Sequence, residues 1–228
     1  MRIRYKKWAR PELEACKFYI DNPEDYKGKW HTAFKKKQPL HIELGCGKGS
    51  FMAELASSNK NINYLAVDLV DAMLGLAKRN IEAKYEELGL EPNNIIITRH
   101  DIERIHLLMS KEDPVDRIYI NFCNPWPKPK HKKKRLTHTK QLMLYREFLK
   151  DGGEIYFKTD DDGLFDESLK YFEESGFEIV SKTYDLHNEN IFTNNIETEH
   201  EKMFTEEGKT IKALIAKKGI LYGQENNN

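Results

Sequence analysis

The chain has 228 residues, 39% hydrophobic and 32% charged, with 37 Lys+Arg against 37 Asp+Glu. That length supports one sizeable core and a small extension, and no apolar run approaches the ~18 residues of a membrane span. The basic start, MRIRYKKWAR, is followed by no apolar h-region, so no secretory signal is expected, and Cys16, Cys46 and Cys123 fit neither a disulfide framework nor a zinc site.

The three cysteines therefore read as reduced thiols of a cytoplasmic protein. The zero net charge hides a segregation. Five of the first ten residues are basic (Arg2, Arg4, Lys6, Lys7, Arg10), and so are six of the eight residues 128–135. A polyanion responds to such local positive surface and not to the total.

Residues 1–36 show turn residues and aromatics but no sustained period, and read as an irregular basic extension. From Leu40 onward, short apolar runs alternate with helical patterns. LHIEL (40–44) is a strand that runs into a glycine loop, and KGSFMAELASSN reads as a helix. NYLAVDL (63–69) is the second strand. Val70, Met73, Ala77, Ile81, Tyr85 and Leu88 then recur every three or four residues, which gives one apolar helix face. NIIIT (94–98) is the third strand, with a helix near 102–110, and RIYINF (117–122) the fourth. A helix over 138–150 ends at Gly152-Gly153, and EIYFKT (154–159) is the fifth strand, followed by the helix GLFDESLKYFEESG. FEIVSKTYDL and TIKALIAKK complete the pattern as two strands with no helix between them, so antiparallel neighbours. Such alternation predicts an α/β fold, a parallel sheet covered on both faces.

Ligands of such sheets bind outside the C-terminal strand ends. The first of these carries ELGCGKGSF, with Gly45, Gly47 and Gly49. Ser50 stands where the dinucleotide fingerprint has its last glycine, and no P-loop occurs. Glu43, just before the glycines, disfavours a phosphate and suits an ammonium group. Asp68 ends the second strand 19 residues after Gly49 and can accept from both hydroxyls of a ribose. Asp101, beyond the third strand, can accept from an adenine amino group. Amine, ribose and adenine without phosphate describe S-adenosylmethionine. At the fourth strand end, NFCNPWPK, Trp126 offers a ring on which a base can stack. Lys130, Lys132, Lys133, Lys134 and Arg135 follow as a grip on a phosphate backbone, which gives affinity without sequence information.

Together, ELGCGKGSF, NFCNPWPKPKHKKKRL, FKTD and TEHEKMF resemble the bacterial tRNA (guanine-N7-)-methyltransferases, which modify position 46 in the variable loop. The likeness runs from the first residues to about Lys217, with the motifs in the family's order. The resemblance implies a Rossmann-like methyltransferase fold, with a mostly parallel seven-stranded sheet, helices on both faces and an antiparallel last strand. It implies a methyltransferase domain over 37–218, between the 1–36 extension and a 219–228 tail. By motif, Glu43, Asp68, Asp101 and Asn124 would bind the cofactor beside Gly45, Gly47 and Gly49. Lys128, Asp160, Thr198, Glu199, His200 and Glu201 would contact the substrate, with Glu201 at the guanine N1–N2 edge. The expected partner is tRNA, with no membrane and no metal, and the chain a monomer or homodimer.

The family usually has Asp before Pro-Trp, assigned as catalytic, where this chain has Asn124. Guanine N7 carries a lone pair and no proton, so it can attack a sulfonium methyl without a general base. Positioning and electrostatics then do the work. An Asn supplies one acceptor and two donors, so an active enzyme is expected. Two alternatives are an amino-methyltransferase, since NPWP resembles the N-P-P-aromatic motif, and a catalytically silent tRNA-binding protein.

Overall fold

A computed structural model describes residues 5–189, 191–193 and 195–219. Arg2 and Arg4 of the basic start, and residues 220–228 of the expected tail, lie outside the described residues. The strands are β1 (Tyr19–Ile20), β2 (Leu40–Leu44), β3 (Asn63–Asp68), β4 (Ile95–Arg99), β5 (Val115–Asn121), β6 (Leu149–Thr159), β7 (Phe177–Thr183) and β8 (Lys212–Lys218). The helices are α1 (Ala9–Glu14), α2 (Ser50–Ser58), α3 (Asp71–Glu87), α4 (Thr139–Phe148), α5 (Asp162–Glu174) and α6 (Glu199–Glu206).

One sheet runs in the order β1-β4-β3-β2-β5-β6-β8-β7. All neighbours are parallel except β8, which is antiparallel to both β6 and β7. The chain moves outward from β2 through β3 to β4, then returns to β5 on the other side of β2. The crevice between the C-terminal ends of β2 and β5 is thus the switch point where doubly wound sheets bind ligands. β2, at the middle, is buried at every position. Leu13, Met52, Leu74 and Ile81 fill one face of the sheet, and Leu142, Tyr145, Leu164 and Phe172 fill the other. Each such side chain fully removed from water contributes about 1.5–3 kcal/mol. The expected α3 face holds at Ala77, Ile81 and Tyr85, joined by Leu74, whereas Leu88 lies past the helix end and is 46% exposed.

Two parts of the chain differ from the sequence reading. The sheet has eight strands and not seven, because the extension contributes β1, which pairs with β4 from Tyr19↔Ile97. The extension is also anchored: Trp30 is fully buried, and its Nε1 donates to the Leu108 carbonyl at 2.9 Å. The Gly28 and Trp30 amides donate to the buried Asp113 carboxylate at 2.6 and 3.0 Å. These are long-range bonds, which no local period announces. The second difference is α6, which interrupts the β7–β8 connection. This eight-residue, acid-rich helix is set by a capping box, in which Thr198 Oγ1 accepts from the Glu201 amide at 3.0 Å and Glu201 turns back to the Thr198 amide.

Candidate active site

The three acids lie at or just beyond the C-terminal ends of β2, β3 and β4. Glu43 sits on β2 with 2% of its surface exposed. Its Oε1 accepts from Asn121 Nδ2, on β5, at 2.9 Å, while Oε2 is buried without a partner among the described residues. Burial pushes its carboxyl up to about 8, against the Asn121 hydrogen bond, which pulls it down. A buried acid with one unsatisfied oxygen is costly, and a bound ammonium would satisfy it. Asp68, at the end of β3, accepts from the Gly47 amide through Oδ2 and the Val70 amide through Oδ1, both at 2.9 Å. Burial raises its pKa as well. Each oxygen keeps a lone pair for a hydroxyl. Asp101 caps the turn after β4 by accepting from the Glu103 amide at 3.0 Å.

The glycines divide the work. At Gly49 a Cβ would lie 2.6 Å from Ala77 Cβ, so this residue lets the loop pack against α3. Gly47, at φ +53°, has open space where its Cβ would be, so its bare backbone faces the cleft. An orphaned carboxylate oxygen, an open glycine backbone and a second acid at hydroxyl distance from the loop fit the amine and ribose of S-adenosylmethionine.

The segment after β5 is tightly built. Phe122 and Trp126 adopt φ of +52° and +41°, values that cost non-glycine residues strain. Asn124 is exposed, and its Oδ1 accepts from the Trp126 amide at 3.0 Å, which closes an Asx turn. Arg135 donates to the Pro125 carbonyl at 2.6 Å and pairs with Glu167 on α5. The sequence reading put Arg135 on tRNA phosphates. It is instead 4% exposed and holds the Asn-Pro-Trp turn from beneath. Lys132 also pairs with Glu167, and Lys134 lies 3.8 Å from Glu103 and over the Trp126 ring at 5.4 Å. Lys128, Lys130 and Lys133 are exposed, with no ion pair among the described residues. His131 lies 5.6 Å from the Trp126 ring, which is half-buried.

On the substrate side, Asp160 follows β6, and its carboxylate lies 3.6 Å from Lys209. Thr198 caps α6. Glu199 reaches the glycine loop, accepting from Lys48 Nζ at 2.6 Å and Ser50 Oγ at 2.7 Å. His200 stacks on Phe122 at 6.1 Å. Glu201, expected at the guanine edge, has no exposed surface. Oε2 accepts from Lys158 Nζ and Oε1 from Asn195 Nδ2, both at 2.8 Å. Its carboxylate is committed to the protein.

Two site residues escaped the sequence reading. Asn121 had no signal beyond being the last residue of β5. Lys158 had one: it is a lysine inside the apolar run EIYFKT, where a buried charge needs a partner. A cavity of about 510 Å3 next to the glycine-loop cleft shares Phe51 and Asn121 with it and is walled by Tyr119, Tyr156 and Phe192.

Residues 37–214 match the family described as "Putative methyltransferase". Over 218 residues, 96% of this chain and 99% of the relative, the chain is 59% identical to the tRNA (guanine-N(7)-)-methyltransferase of Clostridium beijerinckii. It is 56% identical to that of Clostridium perfringens strain 13 over 219 residues, 96% and 100% of the two chains. Among solved structures, the 16S rRNA methyltransferase KamB aligns with a TM-score of 0.57 at 13% identity over 96% of each chain. An antibiotic-related methyltransferase aligns at 0.55 and 17% over 97% of each. These structures share the fold. The relatives match at more than half identity along almost their whole length, and the chain belongs to the tRNA (guanine-N7-)-methyltransferase family.

Proposed function

We propose that this chain transfers the methyl group of S-adenosylmethionine to N7 of a guanine in tRNA, at position 46 of the variable loop. The observation that carries the donor assignment is Glu43, whose buried, unpartnered oxygen sits at the β2–β5 switch point beside the open backbone of Gly47. The cofactor supplies a methyl on a cationic sulfur. Glu43 holds the amine, Asp68 the ribose hydroxyls and Asp101 the adenine edge. Asn121 keeps Glu43 in place from β5.

No residue removes a proton, because N7 has none to lose. Asn124 accepts from the Trp126 amide through Oδ1, and its NH2 can donate to guanine O6. An aspartate in its place would still accept from the Trp126 amide and would stabilise the cationic product. Asn124→Asp is therefore expected to stay within about tenfold of the natural kcat/KM. Asn124→Ala loses both the turn bond and the donor, and is expected to fall about 5- to 150-fold, for ~1–3 kcal/mol. The measurement is kcat/KM on unmodified tRNA, with the product identified as 7-methylguanosine. A natural chain that makes no 7-methylguanosine while its Asp variant does would reveal a silenced enzyme, and methylation of an exocyclic nitrogen would reveal an amino-methyltransferase.

Lys128, Lys130 and Lys133 are the cations available to tRNA phosphates. Replacing all three with Gln is expected to weaken tRNA binding and to reduce the log–log salt slope by up to about one per lysine. Arg135→Gln is expected to lower the melting temperature and leave that slope unchanged. The opposite result for either variant, read from filter binding at several salt concentrations, contradicts the division drawn here.

A further inference from the structure

Helix α6 is fastened at two places of very different strength. On its inner side, all three protons of the Lys158 ammonium have acceptors: Asn195 Oδ1 at 2.5 Å, the Ile196 carbonyl at 3.1 Å and Glu201 Oε2 at 2.8 Å. Lys158 and Glu201 side chains are 4% and 0% exposed, and separating such a pair strands a buried charge. On its outer side, Glu199 meets Lys48 and Ser50, with the Lys48 and Glu199 side chains 50% and 46% exposed. An exposed pair of that kind opens at little cost. Between the two lies the glycine-loop cleft, roofed by Thr198, Glu199 and His200, with about 90 Å3 beneath. That is well below the ~300–1,000 Å3 of small-molecule sites, so the space at Glu43, where the amine end of the donor would lie, is narrow with α6 in this position.

The difference in strength decides which end moves. We propose that α6 is a lid over the donor cleft, pivoting at Lys158–Glu201 and latched to the glycine loop by Glu199, with Lys158 the positioning residue that sets it. Lys158 pairs in register with Asn121 on the neighbouring strand, and Asn121 holds Glu43. The pivot and the amine-binding acid thus share one strand pair. Lys158 also fixes Asn195 and Ile196, which line the 510 Å3 cavity, so one ammonium sets the roofs of both spaces. The lid rests on the donor-site reading above.

The test is stopped-flow exchange of S-adenosylmethionine. Glu199→Ala is expected to speed both entry and exit about three- to tenfold, and the charge swap Lys48→Glu with Glu199→Lys to restore slower exchange. Unchanged rates in Glu199→Ala, or a swap as fast as that single variant, overturn the latch. For the pivot, Lys158→Met is combined with Glu201→Gln, so that no lone charge is buried. The pair is expected to fold, with kcat lowered about tenfold or more and the tRNA KM within about twofold. A folded double variant with natural kcat overturns the positioning role. If the unsubstituted chain binds no S-adenosylmethionine at all, the donor-site reading fails instead.

Discussion

Glu201→Ala is expected to destabilise the fold by about 3–5 kcal/mol, the cost of leaving one member of a buried pair alone. Lys158 would keep its ammonium 4% exposed without the carboxylate it pairs with. Asn195 would lose the acceptor of its amide, and Thr198 half of its capping box. Glu201→Gln should cost somewhat less, because the amide oxygen still accepts from Lys158, although the Lys158 charge is left unpaired. The resemblance alone leads to another expectation: if Glu201 touched the guanine edge, the alanine variant would fold normally and show a raised tRNA KM. Urea denaturation of the three proteins separates the two. A Glu201→Ala protein with an unchanged midpoint and a raised KM would return the residue to the substrate.

Glu43→Gln should split stability from function. The folded carboxyl sits at about 8, above the 4.5 it has when exposed. A raised carboxyl favours the fold while protonated, and that contribution is lost as pH rises through about 8. The Gln variant has no such loss. It should match the natural protein below about pH 4.5, gain on it progressively as pH rises from there, and exceed it above pH 8 by up to roughly 3–5 kcal/mol. Cofactor binding should move the other way, since a neutral amide cannot pair with an ammonium, and a loss of about 10²-fold or more is expected. A further sign is proton release. Between about pH 6 and 7.5 the free protein holds a proton on Glu43 that cofactor binding must expel, so calorimetry in two buffers of different ionisation enthalpy should report it. Cofactor binding without proton release, together with undiminished affinity in the Gln variant, would remove Glu43 from the donor site.

The middle of the sheet was legible because β2, β3 and β4 are short and buried along almost their whole length. β2 matches LHIEL residue for residue, and β3 ends one residue before the expected limit. The three acids were legible because strand ends are where such folds bind. What the sequence hid was tertiary. β1 is two residues long and exists because β4 offers it an edge. Arg135 belongs to a run of six cations and differs from its neighbours in being buried and in donating to the Pro125 carbonyl. Glu201 was visible as part of T-x-x-E, and that spacing has two meanings, a substrate contact and a capping box. The lysine inside EIYFKT was the sign favouring the second, since a buried ammonium on β6 requires an acid nearby.

Trp30 is made early and buried late. Its amide and indole bind Asp113 and Leu108, which lie 83 and 78 residues further along the chain. At ~5–20 residues per second, roughly 4–17 s separate the synthesis of Trp30 from that of Asp113. For that interval Trp30 lacks the Asp113 carboxylate that holds its amide, and β1 has no β4 to pair with until residues 95–99 are made. The extension therefore cannot nucleate folding. Trp30 is secured only after the segment beyond β4 has been made, so a chain stalled before Leu108 would leave its indole and amide without their partners.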